Sequence, residues 1–193
     1  PERIEQAYEL GLRHFGENRV QELLSKVEAV HIPADWNLIG HLQKNKVKYV
    51  IHTVSLIQSL DRLSLAEALQ KHAGRAGREV QALVQVNIGR EASKSGVDPD
   101  EVLPFIEQVS QSCEAIRIRG LMAIAPNAGE EASRPYFAKM RRLFENVEAL
   151  GLQRVSMDIL SMGMTGDYPA AIAEGATMVR LGGAIFGARG PVQ

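Results

Sequence analysis

The chain has 193 residues, of which 45% are hydrophobic, so it can bury one substantial core but is short for two ordinary domains. Its 22 basic and 23 acidic side chains leave a net charge of −1, which argues against a broad surface for nucleic acid or an anionic membrane. No apolar run approaches the roughly 18 residues of a membrane span, and the first segment does not resemble a signal peptide. We therefore expect one soluble domain over residues 1–193 that binds a small molecule.

Cysteine and histidine usage narrows the chemistry further. Cys113 is the only cysteine, so no internal disulfide can form, and no Cys-x-x-Cys pattern surrounds it. The five histidines show neither metal-ligand spacing nor a legible catalytic triad. The sequence thus predicts no metal site, no catalytic residue and a reducing, cytoplasmic location.

Strand-like and helix-like segments alternate along the chain. In chain order the pattern predicts a helix over Glu2–Gly11, a strand over Arg13–Phe15, a helix over Arg19–Ala29, a strand over Trp36–Ile39, a helix over Lys44–His52, a strand over Ser55–Ser59, a helix over Arg62–Ala76, a strand over Gln81–Asn87, a helix over Pro99–Cys113, a strand over Ile116–Ala123, a helix over Ser133–Leu150, a strand over Ser156–Leu160, a helix over Tyr168–Glu174, a strand over Thr177–Leu181 and a last helical turn. The run Gln81–Asn87 is almost continuously apolar, which is typical of a parallel strand buried on both faces.

This alternation indicates an α/β fold with a parallel sheet. Seven predicted strands are each followed by a helix, and about eight such units close into a (β/α)₈ TIM barrel. The extra leading helix then belongs to a unit whose strand precedes Pro1, so we expect the first strand of the barrel to be missing from the given chain. An open, doubly wound sheet of seven strands is the alternative, but it gives no reason to open on a helix.

Two loops carry the clearest signs of a binding site. In a TIM barrel the site lies at the carboxyl ends of the strands, and phosphate sites commonly form after the seventh and eighth strands. If the missing strand is counted as the first, these loops are 160–167 and 180–187. The first loop offers hydroxyl and N–H donors, and the glycines of the second let the backbone approach a ligand closely. Together the two loops favour a phosphate site.

Arg180 lies in the last predicted strand, where a charged side chain needs a partner. Two interpretations stay open at this point. The arginine forms a structural ion pair in the mouth of the barrel, or its cation faces a polar atom of a ligand.

Five segments in order resemble the pyridoxal 5′-phosphate (PLP) homeostasis protein family, the YggS/PROSC-like proteins. These proteins share the fold-type III barrel of the alanine racemase N-terminal domain. The segments are FGENRVQE at 15–22, IGHLQKNK at 39–46, RGLMAIAP at 119–126, LSMGMTGD at 160–167 and VRLGGAIFGAR at 179–189. The resemblance implies that PLP is bound as a Schiff base to a lysine a few residues before Pro1.

The resemblance also implies which residues surround the cofactor. Ser161, Gly163 and Thr165 match the first phosphate loop, Gly182 and Gly183 match the second, Arg180 matches the arginine that faces the pyridine nitrogen, Asn18 matches an amide near the polar edge and Met122 matches a residue that packs by the ring. Many members carry Thr or Ser at the position of Gly183, so one hydroxyl group is absent here. Met122 also fits a plain core position.

The function expected from the resemblance is non-enzymatic PLP binding, with buffering of the cofactor or its delivery to PLP-dependent apo-enzymes. A PLP-dependent amino-acid racemase of the alanine racemase type is the alternative. Racemisation needs two acid/base groups, one of which alanine racemase takes from a tyrosine of a C-terminal domain, whereas only seven residues follow Phe186 here. We therefore expect a monomeric carrier. A barrel that binds another phosphorylated metabolite is a third possibility.

Overall fold

The computed structural model describes residues 1–126 and 129–187, and one parallel sheet forms its centre. The strands are β1 (His14–Glu17), β2 (Asp35–Leu38), β3 (Leu56–Leu60), β4 (Val80–Val86), β5 (Ile116–Ala123), β6 (Val155–Met164) and β7 (Met178–Arg180). Each strand pairs in parallel with the next strand in the chain. This sequential order rules out the doubly wound alternative, because a doubly wound sheet reverses its strand order at a switch point. The barrel prediction is confirmed.

Helices follow the strands and cover the outside of the sheet. They are α1 (Glu2–Glu9), α2 (Val20–Ala29), α3 (Val47–Val50), α4 (Leu63–Arg75), α5 (Val102–Ser112), α6 (Glu130–Ala149), α7 (Tyr168–Ala173) and α8 (Gly183–Phe186), with 3₁₀ turns at Lys44–Lys46 and Pro99–Glu101. Helix α4 shows why they form: Leu65, Ala66, Leu69 and Ala73 recur at helical spacing and are all buried. The apolar stripe of the helix therefore packs on the sheet.

Two contacts near the chain ends link the edges of the sheet. Strands β1 and β7 are the outermost strands of the described sheet. Helices α1 and α8 meet beside them, since Arg3 Nη1 donates to the carbonyl oxygen of Phe186 at 2.8 Å. The Phe186 ring also packs against a buried cluster that includes Ile4 and Trp36. The strand expected upstream of Pro1 stays a prediction.

Strand β6 differs most from its predicted bounds. It continues to Met164, four residues past the predicted end at Leu160. Neighbouring strands pair with this extension on both sides, because Ser161 pairs with Met122 of β5 and Met164 pairs with Arg180 of β7. Part of the predicted phosphate loop is therefore strand.

The inside of the barrel has an apolar layer with polar side chains above it. Leu56, Leu83 and Met122 are buried together, with Ile159 and Met178 packed against them. These residues come from β3 to β7, so the strands surround one shared interior. Toward the carboxyl ends of the strands the inward side chains become polar.

Candidate functional site

A chain of polar side chains crosses the barrel interior. Arg180 Nη1 donates to Ser161 Oγ at 2.7 Å, and Ser161 Oγ donates to Gln58 Oε1 at 2.7 Å. Gln58 Nε2 donates to Asn37 Oδ1 at 3.0 Å, and Asn37 Nδ2 donates to the carbonyl oxygen of Asp35 at 3.1 Å. The chain links β7, β6, β3 and β2, so strands far apart in the sheet are tied together through the interior. A satisfied network of this kind holds its members rigidly.

Arg180 sits at one end of this chain with its guanidinium inside the mouth of the barrel. Besides Ser161, it donates through Nη2 to the carbonyl oxygen of Ala123 at 2.8 Å. Among the described residues no carboxylate forms a salt bridge with it. Burial lowers the pKa of Arg180 from its ordinary value to about 10, and the negative charge of Asp167 opposes part of that shift. The structural ion pair considered from the sequence is therefore not what holds this cation.

The two predicted phosphate loops lie side by side. Since Met164 pairs with Arg180, the residues that follow each of them leave the sheet at the same edge. The first loop is a tight turn in which Asp167 Oδ1 accepts the Met164 N–H at 2.7 Å, and Thr165 lies exposed at its tip. In the second loop the N–H groups of residues 182–184 donate to no described backbone carbonyl. An anion between the loops would find donors on both sides.

Gly163 shapes the first loop by allowing a close approach. Its φ is +91°, and an added Cβ would lie 2.6 Å from Ala171 Cβ and 3.1 Å from Tyr168 Cα. Only glycine accepts both the left-handed backbone and this contact with α7 without strain. The turn after β6 thus stays close to the helix that follows it.

Gly182 and Gly183 are different in this respect. An added Cβ at either position meets nothing within 4 Å, and both residues are exposed. Because neither residue has a side chain, the backbone at this turn is left uncovered, and a ligand could approach its N–H groups closely.

Asn18 lies at the carboxyl end of β1, immediately after the strand. It lines a cleft of about 210 Å³ whose other walls come from 39–41, 85–87, 94–95 and Ile124. The ends of β1 and β2 approach closely here, since a Cβ on Gly40 would lie only 2.1 Å from the Asn18 carbonyl oxygen. The structure therefore places Asn18 at the same end of the barrel as the two loops.

Met122 and Ser161 occupy positions that differ from those expected of ligand contacts. Met122 is fully buried in the apolar interior layer. Ser161 is also fully buried, and both its donor and an acceptor site are used by Gln58 and Arg180. The hydroxyl group of Ser161 therefore orients Arg180 here, while the Thr165 side chain is exposed at the tip of the first loop. Whether any of the eight residues contacts the cofactor stays a prediction.

Sequence reasoning missed two members of the interior network, Asn37 and Gln58. Both are polar side chains in the middle of short apolar strands, and both are buried. That signal was available, because a buried amide needs a hydrogen-bonding partner inside the protein.

The described residues lack the features of a membrane-spanning helix and of a metal site. No helix among them has the length and apolar character that crossing a membrane requires. In the same residues no cluster of three or more His, Cys, Asp or Glu side chains is arranged to hold a metal ion.

Comparison with known proteins places the chain in a family. The family model described as the alanine racemase N-terminal domain matches residues 2–190. The pyridoxal phosphate homeostasis protein of Aquifex aeolicus is 42% identical over 191 residues, which cover 98% of this chain and 82% of that protein. The protein of the same name from Pasteurella multocida is also 42% identical, over 97% of this chain and 82% of its own length.

Solved structures agree with these relatives. PipY of Synechococcus elongatus without PLP superposes with a TM-score of 0.89 at 38% identity, over 96% of this chain and 87% of PipY. PipY with PLP bound gives a TM-score of 0.85 at 36% identity, over 95% of this chain and 86% of PipY. Alanine racemase of Clostridium difficile gives a TM-score of 0.76 at 16% identity, over 97% of this chain and 47% of the racemase. The last comparison concerns the fold alone.

Proposed function

We propose that this chain, which belongs to the pyridoxal phosphate homeostasis protein family and has the alanine racemase N-terminal domain fold, binds PLP and buffers or delivers it. One observation carries the proposal beyond family membership. The guanidinium of Arg180 is held by Ser161 Oγ and the Ala123 carbonyl oxygen, next to two loops with available N–H donors. PipY, solved with PLP bound, shares this fold at 36% identity.

The residues present fit the chemical groups of PLP. Its phosphate is a dianion, and the loops after β6 and β7 supply the Thr165 hydroxyl group and the N–H groups around Gly182 and Gly183. Such donors bind anions without a neighbouring lysine. At the carboxyl end of β1, Asn18 offers an amide to the polar edge of the ring. The donor set therefore suits a flat, phosphorylated ring.

PLP, when bound, supplies an aldehyde carbon that reacts with amines and a ring that can withdraw electrons. Arg180 limits the second property. Because its cation faces the pyridine nitrogen in this assignment, it disfavours a proton on that nitrogen. Ser161 and the Ala123 carbonyl oxygen hold the guanidinium in place. The site thus favours holding PLP over stabilising a carbanion.

The finer part of the proposal is that the protein is not an amino-acid racemase. Arg180 weakens the electron sink that abstraction of an α-proton requires. We expect turnover far below the usual enzyme range of roughly 1–10³ s⁻¹. The test follows exchange of the α-proton of L-alanine in deuterated water with PLP-loaded full-length protein. Exchange with inversion at several turnovers per second would establish the racemase alternative.

The remaining parts of the proposal concern partners and location. We infer a monomer that gives PLP to apo-enzymes in the cytoplasm. The single cysteine, Cys113, is buried and free, which suits a reducing compartment. Light scattering during size-exclusion chromatography tests the monomer. Mixing PLP-loaded protein with a PLP-dependent apo-enzyme and measuring the activity gained tests delivery.

A further inference from the structure

The cleft beside Asn18 contains a histidine that is held by a buried carboxylate. His41 follows β2, and its Nδ1 lies 3.3 Å from Asp61 Oδ2. The Asp61 side chain is 6% exposed, whereas that of His41 is 49% exposed. The imidazole therefore lies beside a buried carboxylate, and about half of its own surface is open.

Arg62 fixes the carboxylate behind the histidine. Its Nη1 pairs with Asp61 Oδ1, and its Nη2 donates to the carbonyl oxygen of Leu42 at 2.6 Å. The same arginine thus holds both Asp61 and the loop that carries His41. A carboxylate beside an imidazole stabilises the positive charge that the ring carries while it holds a transferred proton.

The cleft borders the proposed PLP site through the end of β5. Ile124 lines the cleft, while the preceding residue, Ala123, accepts the hydrogen bond from Arg180. Lys94 lies in the same cleft and is already paired with Glu91, with Nζ 2.6 Å from Oε1. The cleft is therefore close to neutral overall. Its volume of about 210 Å³ suits a small amine or one side chain rather than a larger ligand.

We propose that His41, which lies beside Asp61, transfers the proton when a primary amine takes PLP from the protein, and that the amine enters through this cleft. The inference rests on the proposed function. An incoming ammonium group gives one proton to His41 Nε2, and its freed electron pair forms a carbon–nitrogen bond to the aldehyde-derived carbon of PLP. The amine nitrogen gives a second proton to the protein amine implied by the family resemblance, and the bond between that protein amine and the carbon breaks. The departing protein amine then takes the first proton from His41. No oxidant or reductant is needed.

The test compares two amines in the full-length, PLP-loaded protein. L-alanine carries an ammonium group at neutral pH, whereas hydroxylamine is largely uncharged and needs no base. We expect His41→Gln to slow the loss of bound-PLP absorbance with L-alanine by about 10²-fold and to change the hydroxylamine rate by less than about twofold. Added imidazole should restore part of the rate with L-alanine in His41→Ala. A purely structural role would not produce that rescue.

A matched control lies at the opposite end of the barrel. His14 Nδ1 lies 3.6 Å from Asp35 Oδ2, and both side chains are more than half exposed. His14→Gln should leave both rates unchanged. Asp61→Asn, which keeps the size of the side chain, should slow only the L-alanine reaction and by less than His41→Gln does.

Equilibrium dialysis distinguishes a failure of PLP binding from a failure of the role proposed for His41. If wild-type protein binds no PLP, the proposed function and this inference both fail. If His41→Gln binds PLP normally but reacts with L-alanine at the wild-type rate, or loses both rates equally, only the inference fails. Replacing L-alanine by a short lysine-containing peptide identifies the source of the amine. If His41→Gln slows the reaction with the peptide as much as the reaction with L-alanine, the cleft admits lysine side chains of apo-enzymes. If His41→Gln slows only the reaction with L-alanine, the cleft admits free amino acids.

Discussion

Ser161 Oγ lies 2.7 Å from Arg180 Nη1, and this hydrogen bond joins the interior polar network to the mouth of the barrel. Without it the guanidinium would keep the Ala123 carbonyl oxygen as its hydrogen-bonding partner within the described structure. The same hydroxyl group donates to Gln58, so one side chain satisfies two buried neighbours. The consequences of this arrangement can be measured.

Replacing Ser161 by Ala should destabilise the protein even without PLP. The change leaves an N–H of Arg180 and the Oε1 of Gln58 without their partner, and each unsatisfied buried group costs about 1–3 kcal/mol. Urea unfolding of the PLP-free protein measures the loss. An unfolding free energy equal to that of wild type would contradict the role assigned to Ser161.

Replacing Thr165 by Ala should weaken the binding of PLP and leave the stability of the protein almost unchanged. Thr165 is exposed, so the unfolding free energy should change by less than about 0.5 kcal/mol. A hydrogen bond to a charged phosphate is worth about 1.5–3 kcal/mol, which corresponds to a loss of affinity for PLP of roughly 10- to 150-fold. Equilibrium dialysis measures the affinity, with Thr165→Ser as the control that keeps the hydroxyl group. Unchanged PLP affinity in Thr165→Ala would place the phosphate elsewhere.

Replacing Gly163 by Ala should strain the turn after β6. The new Cβ would lie 2.6 Å from Ala171 Cβ, at a φ of +91° that costs about 1–3 kcal/mol for a residue other than glycine. Gly166→Ala is a matched control in the same loop, because a Cβ there meets nothing within 4 Å and the φ is not positive. Thermal unfolding of both variants tests the difference. Equal melting temperatures would show that the turn tolerates the methyl group.

Arg180 should add no pH dependence to stability near neutral pH. Burial lowers its pKa to about 10 in the folded protein, below the ordinary value for an arginine, so the folded state loses the proton first as the pH rises. The unfolded chain then binds more protons only above about pH 9, and stability from this group rises with pH there. Below that range both states are protonated. Urea unfolding of wild type and Arg180→Gln between about pH 6 and about pH 9 should show a constant difference, and a change of more than about 1 kcal/mol would contradict the assignment.

Much of the fold could be predicted because it depends on local patterns. Alternating apolar runs and amphipathic helices indicated a parallel barrel, and helix α4 was predicted at Arg62–Ala76 and found at Leu63–Arg75. The end of β6 was wrong, since hydroxyl residues and glycines after Leu160 indicated a loop. Pairing with β5 and β7 keeps those residues in the sheet, and a single segment does not reveal its partners.

The sequence by itself determined the chemical inventory of the site: an arginine in the last strand, hydroxyl groups and glycines after the last two strands, and an amide after β1. Only the tertiary structure decided which of these groups meet. Ser161 binds Arg180 and Gln58, and His41 comes to lie beside Asp61, which follows β3. The physical reason is that strand periodicity sets the face on which a side chain lies, whereas its partners depend on the register and curvature of strands distant in the chain.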